Sequence, residues 1–135
     1  MTITIDEFKK VEIRAGKILS AEKVPNTDKL LKLMVDLGEK VEVKEVAKEE
    51  GATITPTDAP KVFVSAPRQI VSGIALRFPD PAVLIGKTCM FVSNLEPRVI
   101  KGLESNGMLF AVSVPEGGFS LLEPNETIPP GTMAI

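Results

Sequence analysis

Apolar and polar residues alternate with period two from residue 31 to residue 37. Leu31, Leu33, Val35 and Leu37 are separated by Lys32, Met34 and Asp36, which predicts a half-buried strand that Gly38 ends. The preceding stretch, residues 11–24, is rich in β-forming residues, but its apolar phase shifts. Val11, Ile13 and Ala15 share one parity and Ile18 the other, so the pattern predicts a bent strand with a bulge near Gly16. Between these two strands, Pro25-Asn-Thr-Asp28 has the composition of a turn. Ahead of them, Thr4-x-x-Glu7 reads as a capping box, with Ile3 and Phe8 at the positions of a hydrophobic staple. A helix of one or two turns follows from that start.

Residues 39–66 carry a different pattern. A charged run begins at Glu39, Val41, Val43 and Val46 fit either a strand or a helix face, and Gly51 and the stretch from Pro56 to Pro60 read as loop. Valine's preference favours strand for the first part, with Lys61-Val-Phe-Val-Ser65 as its return, giving an elaborated hairpin. After Pro67 the sequence predicts a third main strand from Arg68, a short helix or turn over residues 79–85, and a buried strand over 87–95. A polar loop and strand segment (97–107), a strand from Met108 and a last strand at 119–122 come next, and Pro129-Pro-Gly131 ends regular structure. Many short strands with little helix point to a mainly β fold, a small barrel. The 135 residues contain no repeat and no linker long enough to divide them, so one domain over residues 1–135 is expected.

Composition then narrows the chemistry. With no histidine and one cysteine, Cys89, the chain has no histidine-dependent nucleophile relay, no intrachain disulfide and no cysteine-rich or histidine zinc site. Neither a cofactor nor a metal is called for, and binding is expected rather than catalysis. An enzyme would need an acid pair that sequence alone does not locate. No apolar run reaches the length of a membrane span and the N-terminus is acidic, so a cytoplasmic protein with no membrane partner is expected.

The net charge of −2 gives no global attraction for nucleic acid, but the charges are unevenly placed. Residues 1–38 hold seven basic and six acidic side chains and residues 67–110 hold five and three, whereas residues 111–135 hold three acidic and none basic. A cationic surface therefore has to be assembled from the first and third stretches.

Four stretches carry a family pattern. They are residues 5–16 (Ile-Asp-Glu-Phe-Lys-Lys-Val-Glu-Ile-Arg-Ala-Gly), 25–30 (Pro-Asn-Thr-Asp-Lys-Leu), 68–74 (Arg-Gln-Ile-Val-Ser-Gly-Ile) and 94–111, which includes Asn-Leu-Glu-Pro-Arg and Gly-Leu-Glu-Ser-Asn-Gly-Met. In order and residue type they closely resemble the tRNA-binding oligonucleotide/oligosaccharide-binding (OB) fold. That fold occurs as a free-standing tRNA-binding protein, as a module of methionyl-tRNA synthetases and in the endothelial monocyte-activating polypeptide family. The resemblance covers the chain except residues 39–66. It implies a Greek-key five-stranded barrel, with 39–66 as an extended hairpin insertion and 119–135 as a C-terminal extension. Its implied function is structure-dependent, largely sequence-independent tRNA binding, by an accessory protein or an in-trans subunit of a methionyl-tRNA synthetase. A secretion-type chaperone of the same fold, binding unfolded polypeptide, is the alternative.

The resemblance places the RNA contacts on the 98–108 run. Arg98 and Lys101 can meet phosphates from a polar loop, Ser105 and Asn106 offer a hydroxyl and an amide, and Met108 offers an apolar contact. Read structurally instead, Ser-Asn-Gly is a turn and Met108 is core. Lys29, Arg68 and Asn94 are further candidates, each with a competing role: Lys29 as a solvated strand-end charge, Arg68 as the partner of a carboxylate, Asn94 as a group satisfying loop backbone. Val99 stands where relatives often carry another base, and the absence of Trp and Tyr limits stacking, which favours recognition by shape. Phe119, Leu121, Leu122, Ile128, Met133 and Ile135 form an apolar tail expected to help join two subunits in a homodimer.

Overall fold

A computed structural model describes residues 1–43 and 62–135. The chain opens with α1 (Ile5–Phe8), whose capping box is complete. Thr4 Oγ1 accepts from the Glu7 N–H at 3.1 Å, and the Glu7 carboxylate accepts from the Thr4 N–H at 3.4 Å. This one-turn helix buries none of its side chains, so the cap rather than packing defines it.

β1 (Ile13–Lys23) is the longest strand and serves two neighbours. Its second half, Lys17 to Lys23, pairs antiparallel with β2 (Leu31–Asp36), and its first half, Ile13 to Lys17, pairs with β6 (Thr88–Val92). The change of apolar phase is real, but the register shift falls between Ile18 and Ser20, not at Gly16. Leu19 is the displaced residue and is turned partly to solvent, so β1 can bend from one partner to the other.

Gly16 has a different role. A Cβ there would stand 2.7 Å from Leu37 Cδ2 and from Val35 Cγ1 and 2.8 Å from Phe91 Cδ2, so the missing side chain lets the core close over β1.

The charged hairpin appears as β3 (Lys40–Val43) paired with β4 (Val62–Ser65). Val46, Gly51 and the stretch from Pro56 to Pro60 lie outside the described residues. β5 (Arg68–Ser72) then pairs with β2. The short helix or turn expected over residues 79–85 is a single turn of 3-10 helix, Pro81–Leu84, capped by Asp80 with Pro81 in its first turn, and another such turn, Ala75–Arg77, precedes it.

Beyond β6, β7 (Arg98–Ile100) and β8 (Leu103–Ser105) form a separate hairpin, β9 (Met108–Leu109) returns to β6, and β10 (Ala111–Ser113) pairs with β11 (Phe119–Leu121). The main sheet has the order β5-β2-β1-β6-β9 and curls into a nearly closed barrel. Its core is Ile18, Leu31, Leu33, Val35, Leu37, Ile70, Leu84, Cys89 and Phe91, all without solvent exposure. Burial pushes the Cys89 thiol up to about 11, as suits an inert core residue.

No strand or helix follows Gly131, as expected, but backbone hydrogen bonding continues past it. The Ala15 N–H donates to the Thr132 carbonyl at 2.8 Å, the Ala134 N–H donates to Ile13 at 2.7 Å, and Arg14 bridges Met133, so the terminus covers the free edge of β1. Some of the six apolar tail residues lie on the surface, as expected. Phe119 and Leu121 pack on the core and Leu122 and Ile128 are half-buried, which leaves Met133 and Ile135 outside.

Candidate nucleic-acid interface

The barrel closes between β5 and the segment leading into β9, where side chains replace a continuous backbone ladder. Ser105 is buried. Its Oγ accepts from the Val71 N–H at 3.0 Å and donates to the Gly107 carbonyl at 3.2 Å. Alongside it, the Asn106 N–H donates to the Gln69 carbonyl and the Gln69 side chain donates to the Glu104 carbonyl, each at 2.9 Å. Gly107 completes the seam at φ +151°, where a Cβ would come within 3.1 Å of Ile70 Cδ1 and the Val92 carbonyl oxygen. The Ser-Asn-Gly run is thus a closure element, and the Ser105 hydroxyl, expected to face a ligand, is committed inside the fold.

Arg68 braces the same seam from the barrel mouth. Its guanidinium makes a bidentate pair with the Glu39 carboxylate at 2.6 and 2.7 Å and also donates to the carbonyls of Ser93 and Asn106. The end of β2, the end of β6 and the approach to β9 are fixed by one side chain. The hydrogen bond from Arg68 holds the Glu39 carboxyl below its ordinary range against the opposing effect of burial, and the nearby Arg68 and Arg14 charges add to this. The same hydrogen bond to Glu39 raises Arg68. Asn94 is likewise engaged: its Oδ1 accepts from the Glu12 N–H at 2.8 Å and its amide donates to the Lys10 carbonyl. For Arg68 and Asn94 the structural readings describe their bonding.

The remaining predicted residues face outward. Arg98 is exposed on β7, and Lys101 sits at the hairpin turn with φ 51°. That turn leans over the 25–30 turn, which is closed by the Thr27 hydroxyl on the Val24 carbonyl. Ile100 and Lys101 on one side and Asn26 to Leu30 on the other enclose a groove of about 330 Å³. Lys29 and Lys101, 72 positions apart in the sequence, therefore line one groove, together with Asp28 and mostly apolar surface. Met108, partly exposed, stands opposite Val92 on β6.

Between the hairpin base and the barrel mouth a second, shallow cleft of about 500 Å³ is lined by Arg68, Asn94 and Asn106 together with Leu95, Glu96 and Pro97. The eight predicted residues thus divide into a groove pair, a cleft trio, the buried Ser105, and Arg98 and Met108 on the edge. Sequence reading missed Glu39, Gln69 and Glu96. The Glu39 and Arg68 partners are 29 positions apart with no local pattern linking them, so only the folded chain reveals the pair.

A mainly β, OB-like barrel is the class of domain defined by this architecture. Residues 61–133 match the family model described as "Putative tRNA binding domain". The chain is 42% identical over 130 residues to the methionine–tRNA ligase of Methanospirillum hungatei, a match covering 96% of this chain and 15% of that one. It is 34% identical over 129 residues to the enzyme of Enterococcus faecalis, covering 96% of this chain and 16% of that one. The chain spans about 15% of the length of these curated relatives. Among solved structures, the MetRS related protein of Pyrococcus horikoshii superposes with a TM-score of 0.76 at 32% identity, over 100% of this chain and 99% of that one. The chaperone CsaA of Bacillus anthracis superposes over the full length of both chains with a TM-score of 0.70 at 21% identity, a likeness of fold alone. The chain belongs to the tRNA-binding domain family.

The Arg68–Glu39 pair gives a pH test. Because the folded-state pKa of Glu39 lies below the ordinary 4.5, the pair's contribution is complete above that value and is lost as pH falls through the lowered one. Glu39→Gln is expected to cost about 1–2 kcal/mol in urea unfolding at pH 7. The difference from wild type should shrink on acidification below 4.5. A difference that is constant with pH would show that the carboxylate charge is not what braces the seam.

Proposed function

We propose that the β7–β8 hairpin edge binds folded tRNA through its backbone, in a structure-dependent and largely sequence-independent way. In this role the chain serves as an accessory protein or as a non-catalytic subunit acting in trans with a methionyl-tRNA synthetase. The observation that supports the proposal is that Lys29 and Lys101 line one groove, with Arg98 exposed on the same hairpin as Lys101, in a chain of the tRNA-binding domain family. Arg98, Lys101 and Lys29 supply phosphate contacts, and Asn106 and Met108 supply polar and apolar contacts. Arg68, Asn94 and Ser105 hold the edge in shape. With Trp and Tyr absent, recognition rests on backbone contacts and shape.

Each phosphate contact releases counterions and contributes about −0.7 to −0.9 to the log–log dependence of affinity on salt. Bulk tRNA is expected to bind at micromolar concentration with a slope of two to four such contacts. Arg98→Ala with Lys101→Ala should lower both affinity and slope while changing stability by no more than about 1 kcal/mol. Gel shifts at two salt concentrations, with duplex DNA and an unfolded polypeptide in parallel, check this. Salt-independent binding, or preference for either competitor, contradicts it.

A homodimer is also proposed, with its face moved to where apolar side chains are exposed. Ile3, Ile5, Phe8 and Val11 around α1 are exposed, as are Met133 and Ile135 on the terminal segment that pairs with the start of β1. A two-fold partner on this face would place two modest RNA edges on one particle. Sedimentation at tens of micromolar should give a dimer for the intact chain and a folded monomer for Ile5→Asp with Met133→Asp. A monomeric intact chain, or a variant still fully dimeric, removes the proposal.

A further inference from the structure

The cleft at the base of the hairpin contains an acceptor where a purely phosphate-binding surface has no use for one. Of its lining residues, Arg68 is engaged with Glu39 and two carbonyls, and Asn94 is engaged with Glu12 and Lys10. They fix the walls. Glu96 and Asn106 keep a carboxylate and a side-chain amide uncommitted among the described residues, and Leu95 and Pro97 supply apolar surface, with Leu95 44% exposed. A carboxylate repels phosphate and accepts hydrogen bonds only, so beside RNA it needs N–H or O–H donors. Base edges carry such donors.

We propose that this cleft receives one unstacked guanine of a bound RNA. The Glu96 carboxylate accepts from guanine N1–H and N2–H, the Asn106 amide donates to O6, and Leu95 and Pro97 lie against the base plane. Guanine alone among the four bases presents two adjacent donors beside an acceptor, the pattern that a carboxylate and an amide complement. Adenine and cytosine offer one exocyclic amino group to the carboxylate and uracil one ring N–H. A bidentate contact of this kind to a base edge discriminates between bases by about 1–3 kcal/mol, roughly five- to 150-fold, and the exposed Glu96 in a shallow cleft sits at the low end of that range. The pocket adds a local base preference to recognition that is otherwise by shape, and it rests on the RNA-binding reading above.

NMR titration of the whole chain with GMP, IMP, AMP, CMP and UMP tests the proposal, with bulk tRNA measured in parallel. GMP is expected to shift the amide signals of Leu95 and Asn106 and to bind at least fivefold more tightly than AMP, CMP or UMP. IMP, which lacks the N2 amino group, should be several-fold weaker than GMP. Glu96→Gln should bring GMP down to the level of AMP while leaving thermal unfolding unchanged. Equal responses to all the nucleotides, a GMP preference that survives Glu96→Gln, or an unfolded polypeptide displacing GMP from the cleft would each overturn it. If bulk tRNA still binds when the nucleotide preference is absent, only the guanine pocket falls; if tRNA binding is also absent, the RNA-binding reading falls with it.

Discussion

The barrel depends on a seam that its backbone alone does not close. β5 and β9 are the two ends of the curled sheet, and between them the Ser105 hydroxyl takes the Val71 N–H that a neighbouring strand would otherwise satisfy. A buried amide without a partner costs roughly 1–3 kcal/mol, so this side-chain bond contributes on that order to holding the sheet ends together. Arg68 reinforces it from the mouth by tying Glu39 to the carbonyls of Ser93 and Asn106, and Gly107 leaves space for Ile70 and the Val92 carbonyl. The polar groups of the seam are nearly all engaged with one another, which makes it stiff.

The outward residues inherit their positions from that closure. Asn106 lies between Ser105 and Gly107, Met108 begins the strand that returns to β6, and the β7–β8 hairpin runs into the seam through Leu103, Glu104 and Ser105. Because the base of the hairpin is fixed, its tip can stand over the 25–30 turn so that Lys101 and Lys29 line one groove. Placing few cations on a rigid frame limits the conformational entropy lost on binding, which suits a chain with net charge −2.

Much of the barrel was legible because its strands obey local rules. The alternation from Leu31 to Leu37 became a strand with alternate residues buried, and the capping box at Thr4 and Glu7 formed as its spacing indicated. The bulge was legible as a change of phase but not in its position. Gly16 attracted the assignment because glycine is common at bulges, whereas here it makes room for Leu37, Val35 and Phe91, side chains brought to it by distant strands. The candidate site was legible as a set of residues and not as a set of roles. Ser105 reads equally well as a ligand-facing hydroxyl or a turn residue until Val71 is placed beside it, and Arg68 lacks an evident partner until the fold supplies Glu39. Lys29 and Lys101 share no local pattern, so their common groove is a property of the topology.

The central claim is that Ser105 serves RNA binding by closing the barrel, not by touching the ligand. Amide hydrogen exchange and tRNA affinity, measured together on Ser105→Ala, test it most directly. The account expects a folded variant in which the Val71 and Asn106 amides exchange faster than in wild type and tRNA affinity falls. Affinity that falls while both amides keep wild-type protection would place the hydroxyl on the ligand and contradict the account, as would faster exchange with affinity unchanged.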